Sequence, residues 1–169
     1  MTIPPKKGNL AKGDSMIKKI LVPTDGSGHA EKAVNYASDL ALKYDAGLYL
    51  MHAVQESKIP DGFEEFLKAE KIQKPEVQVY LEKVGKEIVE AAQKKAKSKG
   101  LDNVETKIMI GDPTDEILKF AKTKDIDLIV LGSRGLGGIK SMFLGSVSSK
   151  VCNQADCTCM TVRNPASME

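Results

Sequence analysis

The stretch GSRGLGGIKSMFLGS, Gly132–Ser146, holds five glycines and one arginine, Arg134, in fifteen residues, directly after the apolar run DIDLIVL. Glycines let a main chain approach a ligand with no Cβ in the way, and a guanidinium beside them suits phosphate oxygens. The candidate chemistry is anion binding. Two familiar phosphate loops fail on spacing. A P-loop needs Gly-Lys-Ser/Thr, but Ile139 precedes Lys140–Ser141; the dinucleotide fingerprint needs a third glycine where Lys140 stands. What remains is Gly132-x2-Gly135-x9-Gly145-Ser146. A helix starting at Gly145–Ser146 would turn its first amides and positive dipole end toward an anion, with Ser146 and Ser148 as further hydroxyl donors.

Other reactive residues are few. Asp25, in PTDGS, reads either as a ligand contact or as a cap for a helix beginning at Ser27. His52 lies within an apolar strand and reads as core packing, and His29 in a first helical turn reads as exposed. Two histidines and no paired acids give a Ser-His-Asp device or a tuned dyad no support, so no catalytic residue is assigned. Cys152, Cys157 and Cys159 have a C-x4-C-x-C spacing that matches no usual zinc site; they read as reduced buried or edge thiols, and no metal ligand set is assigned.

These residues need a scaffold, and the chain supplies one. Apolar runs at 17–23, 46–54, 104–110, 126–132 and 157–163 read as strands. Between them, Ala30, Ala33, Val34, Ala37, Leu40 and Ala41 share one face of a helix from Ser27 to Lys43; Val77, Leu81, Val84, Ile88 and Ala91 stripe a second at 76–99, closed by Gly100. Asp112 as N-cap and Pro113 at the first position open a third, burying Ile117, Phe120 and Ala121. The fourth starts at Gly145–Ser146. Alternating strands and helices predict a three-layer α/β/α, Rossmann-like fold around an open five-stranded parallel sheet. Unbroken apolar runs put the first and fourth strands inside, and polar alternation puts the third and fifth at the edges, giving the order 3-2-1-4-5. The connectivity reverses between strands 1 and 4, so PTDGS and the glycine stretch face one crevice.

At 169 residues, with 41% apolar and 28% charged residues, the chain suits one globular domain. A net charge of +2 gives no general reason to bind nucleic acid, no run is long enough for a membrane helix, and no secretory signal opens the chain, so a cytoplasmic protein is expected. Residues 1–15 read as a disordered extension or leader, and 16–169 as the domain. Segment 55–75, with Phe63, Phe66 and Leu67, is an insertion that packs on the surface, covers the cleft or joins a dimer contact.

The glycine spacing, with ILVPTDGS after the first strand, LMHAV in the second and GDPTDEIL after the third, resembles the universal stress protein family over residues 16–163. The resemblance implies an adenine-nucleotide-binding, usually dimeric protein of stress adaptation, taking ATP, AMP or ADP, with Mg as a companion ion. It implies Pro23, Thr24 and Asp25 on the adenosine side, Asp25 at ribose or a phosphate-bound metal, Val54 and the Ile110–Gly111 backbone at adenine, and Gly132, Ser133, Arg134, Gly135, Gly145, Ser146 and Val147 around ribose and phosphates. Binding with nucleotide-dependent partner contacts is the expected function. A slow ATP hydrolase or phosphate transferase is the alternative, and a nucleotide-free dimeric scaffold the second. An exposed fifth strand also predicts a homodimer through 157–163.

Overall fold

The structure, a computed structural model, describes residues 15–55, 69–70, 74–136 and 144–163. The expected extension, most of the insertion and the middle of the glycine stretch lie outside the described residues. Five strands, β1 (Lys19–Pro23), β2 (Gly47–Val54), β3 (Val104–Ile110), β4 (Leu128–Gly132) and β5 (Thr158–Val162), form one sheet in the order β3-β2-β1-β4-β5. Every adjacent pair is parallel. The helices are α1 (Gly28–Tyr44), α2 (Lys74–Ser98), α3 (Pro113–Lys124) and α4 (Ser146–Gln154).

The caps decide where the helices begin and end. Ser27 accepts the Ala30 amide at 3.3 Å to start α1, and Asp112 accepts those of Thr114 and Asp115 at 2.8 and 3.3 Å to start α3. Asp45 and Asp125 close these two helices in the left-handed region, at φ 55° and 51°, where a short polar side chain is tolerated. Gly100, at φ 93°, follows α2 as expected. α2 itself starts two residues before the expected 76, because Pro75 fits a first helical turn, whose amides have no partner in the helix.

Two apolar layers hold the helices to the sheet. On one face Ile20, Val22, Leu48 and Leu50 pack with Ala33, Val34, Ala37 and Ala41 of α1 and Ala96 of α2. On the other, Leu21, Met51, Ile129 and Leu131 pack with Ile117 and Phe120 of α3 and Val151 of α4. Successive strand residues alternate between the layers, so β1 and β4 are covered on both sides and carry the unbroken apolar runs. β3 and β5 form the edges.

The central pair sets up the site. β1 and β4 are in register at Ile20↔Leu128 and Leu21↔Ile129, but neither Val22 nor Pro23 is paired with β4. The two strands part before their C-terminal ends, and a crevice opens between them.

Candidate functional site

A cavity of about 570 Å³ occupies that crevice. Its walls come from both central strands and the helices beyond them: Pro23, Thr24 and Asp25 after β1, Gly132, Arg134 and Gly135 after β4, and Gly145, Ser146 and Val147 at the start of α4. The two loops assigned from sequence therefore meet at one cavity.

Asp25 ties them together. Its Oδ1 accepts the Ser27 amide at 3.0 Å, and its Oδ2 accepts the Leu136 amide across the cleft at 2.8 Å. The helix cap is thus Ser27, and Asp25 shapes the turn before it, where Gly26 adopts φ 79°. A Cβ on Gly135 would run into Asp25 Oδ2, so this glycine admits the carboxylate to the loop.

Gly132 has a different reason to lack a side chain. A Cβ there would lie 2.8 Å from both the Ala30 nitrogen and the His29 carbonyl carbon, so the glycine lets α1 begin directly against the end of β4. Gly145 is less constrained, since its nearest neighbour among the described residues would be Arg134 Cα at 3.5 Å.

The start of α4 is the polar feature of the cavity. Gly145 donates its amide to the Ser133 carbonyl at 2.7 Å and, as N-cap, offers no side-chain acceptor to the first turn. The ladder of α4 leaves the Ser146, Val147 and Ser148 amides unused, and these residues line the cavity. Where α1 and α3 have side-chain caps, α4 has no side-chain cap at Gly145 and presents a positive dipole end. Arg134 stands beside them.

Several expectations change. The Ser148 hydroxyl is no cavity donor: its proton is committed to the Gly132 carbonyl at 2.8 Å. His29 is buried rather than exposed, in the first turn of α1, which begins directly against the end of β4. Burial and the nearby Arg134 guanidinium hold its pKa below the ordinary histidine value, against the pull of Asp25. Ser133 is buried behind the wall, donating its amide to Val162 at 2.7 Å. Val54, next to the cavity-lining Ala53, accepts the Gly111 amide at 2.9 Å, and with Ile110 these residues stand at the ends of β2 and β3.

Sequence reasoning missed the wall from β2 and α3. Met51, His52 and Ala53 of β2, Pro113 and Ile117 of α3, Ala30 and Leu131 all line the cavity. Alternation along a strand marks these residues as core or surface, and only the sheet order brings them beside the loop of β1. Among the described residues no cluster of His, Cys, Asp or Glu could hold a metal, and no helix is long and apolar enough to cross a membrane.

An open parallel sheet with helices on both faces and a cleft at its topological switch point defines a doubly wound α/β protein. The chain belongs to the universal stress protein family, whose model matches residues 16–163. It is 38% identical to universal stress protein YxiE of Bacillus subtilis over 156 residues, 88% of this chain and all of that one. Among solved structures, the Methanocaldococcus jannaschii protein MJ0577 superposes with a TM-score of 0.73 at 29% identity, covering 89% of this chain and 98% of its own. A universal stress protein solved in complex with cAMP superposes with a TM-score of 0.63 at 25% identity, covering 88% and 98% respectively.

Proposed function

We propose that the cleft binds an adenine nucleotide, ATP or its AMP and ADP counterparts, and that the protein acts in stress adaptation through nucleotide-dependent contacts with partners. The observation that carries this reading is the uncapped start of α4, opening with Arg134 onto a cavity faced by Asp25. Phosphate oxygens would take the Ser146 and Val147 amides, the Ser146 hydroxyl and the Arg134 guanidinium. The ribose would lie near Asp25 and Thr24, and the base against Met51, Ala53, Pro113 and Ile117. The cAMP complex of a related protein supports the adenosine part. A magnesium ion would arrive with ATP, and Asp25 is the carboxylate on the cavity wall that could face it.

Binding rather than hydrolysis is the better reading. Asp25 is the sole carboxylate on the cavity wall among the described residues, and both its oxygens already accept amide protons, which disfavours a general-base role. The test is calorimetric titration of ATP, ADP and AMP with and without Mg²⁺, alongside single-turnover assays. Saturable binding without turnover is expected, and ligand at a hundred times its Kd should stabilise the fold by about 2.7 kcal/mol. No binding of any of the three would overturn the reading, and stoichiometric turnover lost in Asp25→Ala would replace it with the hydrolase.

A further inference from the structure

His52 lies in the LMHAV segment of β2 but has no part in the nucleotide contacts proposed above, yet it is bonded to the loop that carries them. β1 leaves the sheet at Thr24, whose amide donates to the Met51 carbonyl at 2.8 Å. The pairing of β1 with β2 ends one residue earlier, at Pro23↔Met51, so no strand amide meets the buried Thr24 carbonyl. His52 Nδ1 lies 2.8 Å from that oxygen. A carbonyl can only accept, so Nδ1 carries the proton and the ring takes the place of the missing strand donor.

A second element is shaped around the ring. Gly85 sits in the interior of α2, where glycine is the poorest residue after proline, and it has no positive φ that would require one. A Cβ at Gly85 would lie 2.8 Å from His52 Cδ2 and 3.6 Å from Nε2. Gly85 therefore makes room for the imidazole, which is held between α2 and the Thr24 carbonyl.

We infer that His52, seated by Gly85, is the positioning residue that fixes the β1 exit loop and so aims Asp25 across the cleft. The chain of contacts is continuous: ring to Thr24 carbonyl, Asp25 in the next position, and its carboxylate on the Ser27 and Leu136 amides. The same lock would run from α2 to the ligand loop. Its consequence for ligand affinity rests on the nucleotide reading; its consequence for the loop does not.

The test uses the full chain with His52→Ala, His52→Asn and Gly85→Ala. An asparagine amide can reproduce the Nδ1–H donor, and alanine cannot. In ligand-free protein, His52→Ala should speed exchange of the Ser27 and Leu136 amides about tenfold, the loss of one net hydrogen bond. Asparagine should restore slow exchange. Gly85→Ala should match His52→Ala and add nothing to it in the double variant, and in ¹⁵N-histidine spectra it should erase the protected Nδ1–H signal. ATP affinity should fall about tenfold in the same variants and recover with asparagine. Unchanged Ser27 and Leu136 exchange in both His52→Ala and Gly85→Ala overturns the positioning role, whatever the ligand. Altered exchange with no ATP binding by the wild type upholds the lock and sinks the nucleotide reading instead.

Discussion

At the scale of single residues, the glycines of the motif separate into different jobs. All read alike in the sequence, as freedom for a backbone near an anion, but Gly132 and Gly135 face protein atoms. Gly132→Ala drives a methyl group into backbone on α1, which cannot swing aside as a side chain could. The expected cost is about 1–3 kcal/mol of stability, the range for overpacking a tight site. Gly145→Ala meets nothing closer than 3.5 Å among the described residues and has no positive φ, so it should leave stability within about 0.5 kcal/mol of wild type. Urea denaturation of the two variants measures both. Equal losses would mean that the close approach of α1 to β4 is not what requires glycine at 132.

At the scale of elements, three free thiols pack where α4 meets β5. Cys152 comes from α4, Cys157 and Cys159 from β5 and its approach, and all three pack half-buried against the apolar layer around Val151. Burial raises the Cys157 pKa, aided by Asp127 and Asp156; burial and the neighbouring Cys152 and Cys157 push Cys159 up to about 12. The reactive species is the thiolate, so a raised pKa means a slow nucleophile. At pH 8 Cys159 should alkylate with iodoacetamide at least a hundredfold more slowly in the native protein than in urea, judged by the thiolate fraction. Peptide mass mapping after timed quenching reads this directly. Labelling of native Cys159 as fast as the unfolded chain would refute its seclusion. The sequence expectation of buried or edge thiols was legible here because the three sit near apolar strand and helix positions; their mutual proximity was not, since it depends on how α4 lies across β5.

At the scale of the whole molecule, the architecture was legible because each local signal agreed with the others. The Asp112 cap, the apolar stripes of the helices and the unbroken runs of β1 and β4 all agree with one α/β arrangement, whereas the cap of α1 proved to be Ser27 and not Asp25. The site was legible only where it is local, in the two loops. The His52–Gly85 contact joins positions 33 apart in sequence, and its one trace was a glycine where a helix interior should have had a better former. The same topology leaves β5 at an edge, and this supports association of two chains. The Val162 carbonyl accepts from Ser133 on the β4 side, so alternation turns the Thr161 amide outward. If two copies pair along β5 in an isologous contact, Thr161→Pro removes a donor from that contact and none from the β4 ladder. Sedimentation equilibrium at tens of micromolar should give twice the 18.3 kDa chain mass for wild type and a single chain mass for Thr161→Pro, with an unchanged far-ultraviolet spectrum. A wild type that sediments as one chain refutes pairing altogether, whereas a proline variant that stays dimeric moves the contact to another face.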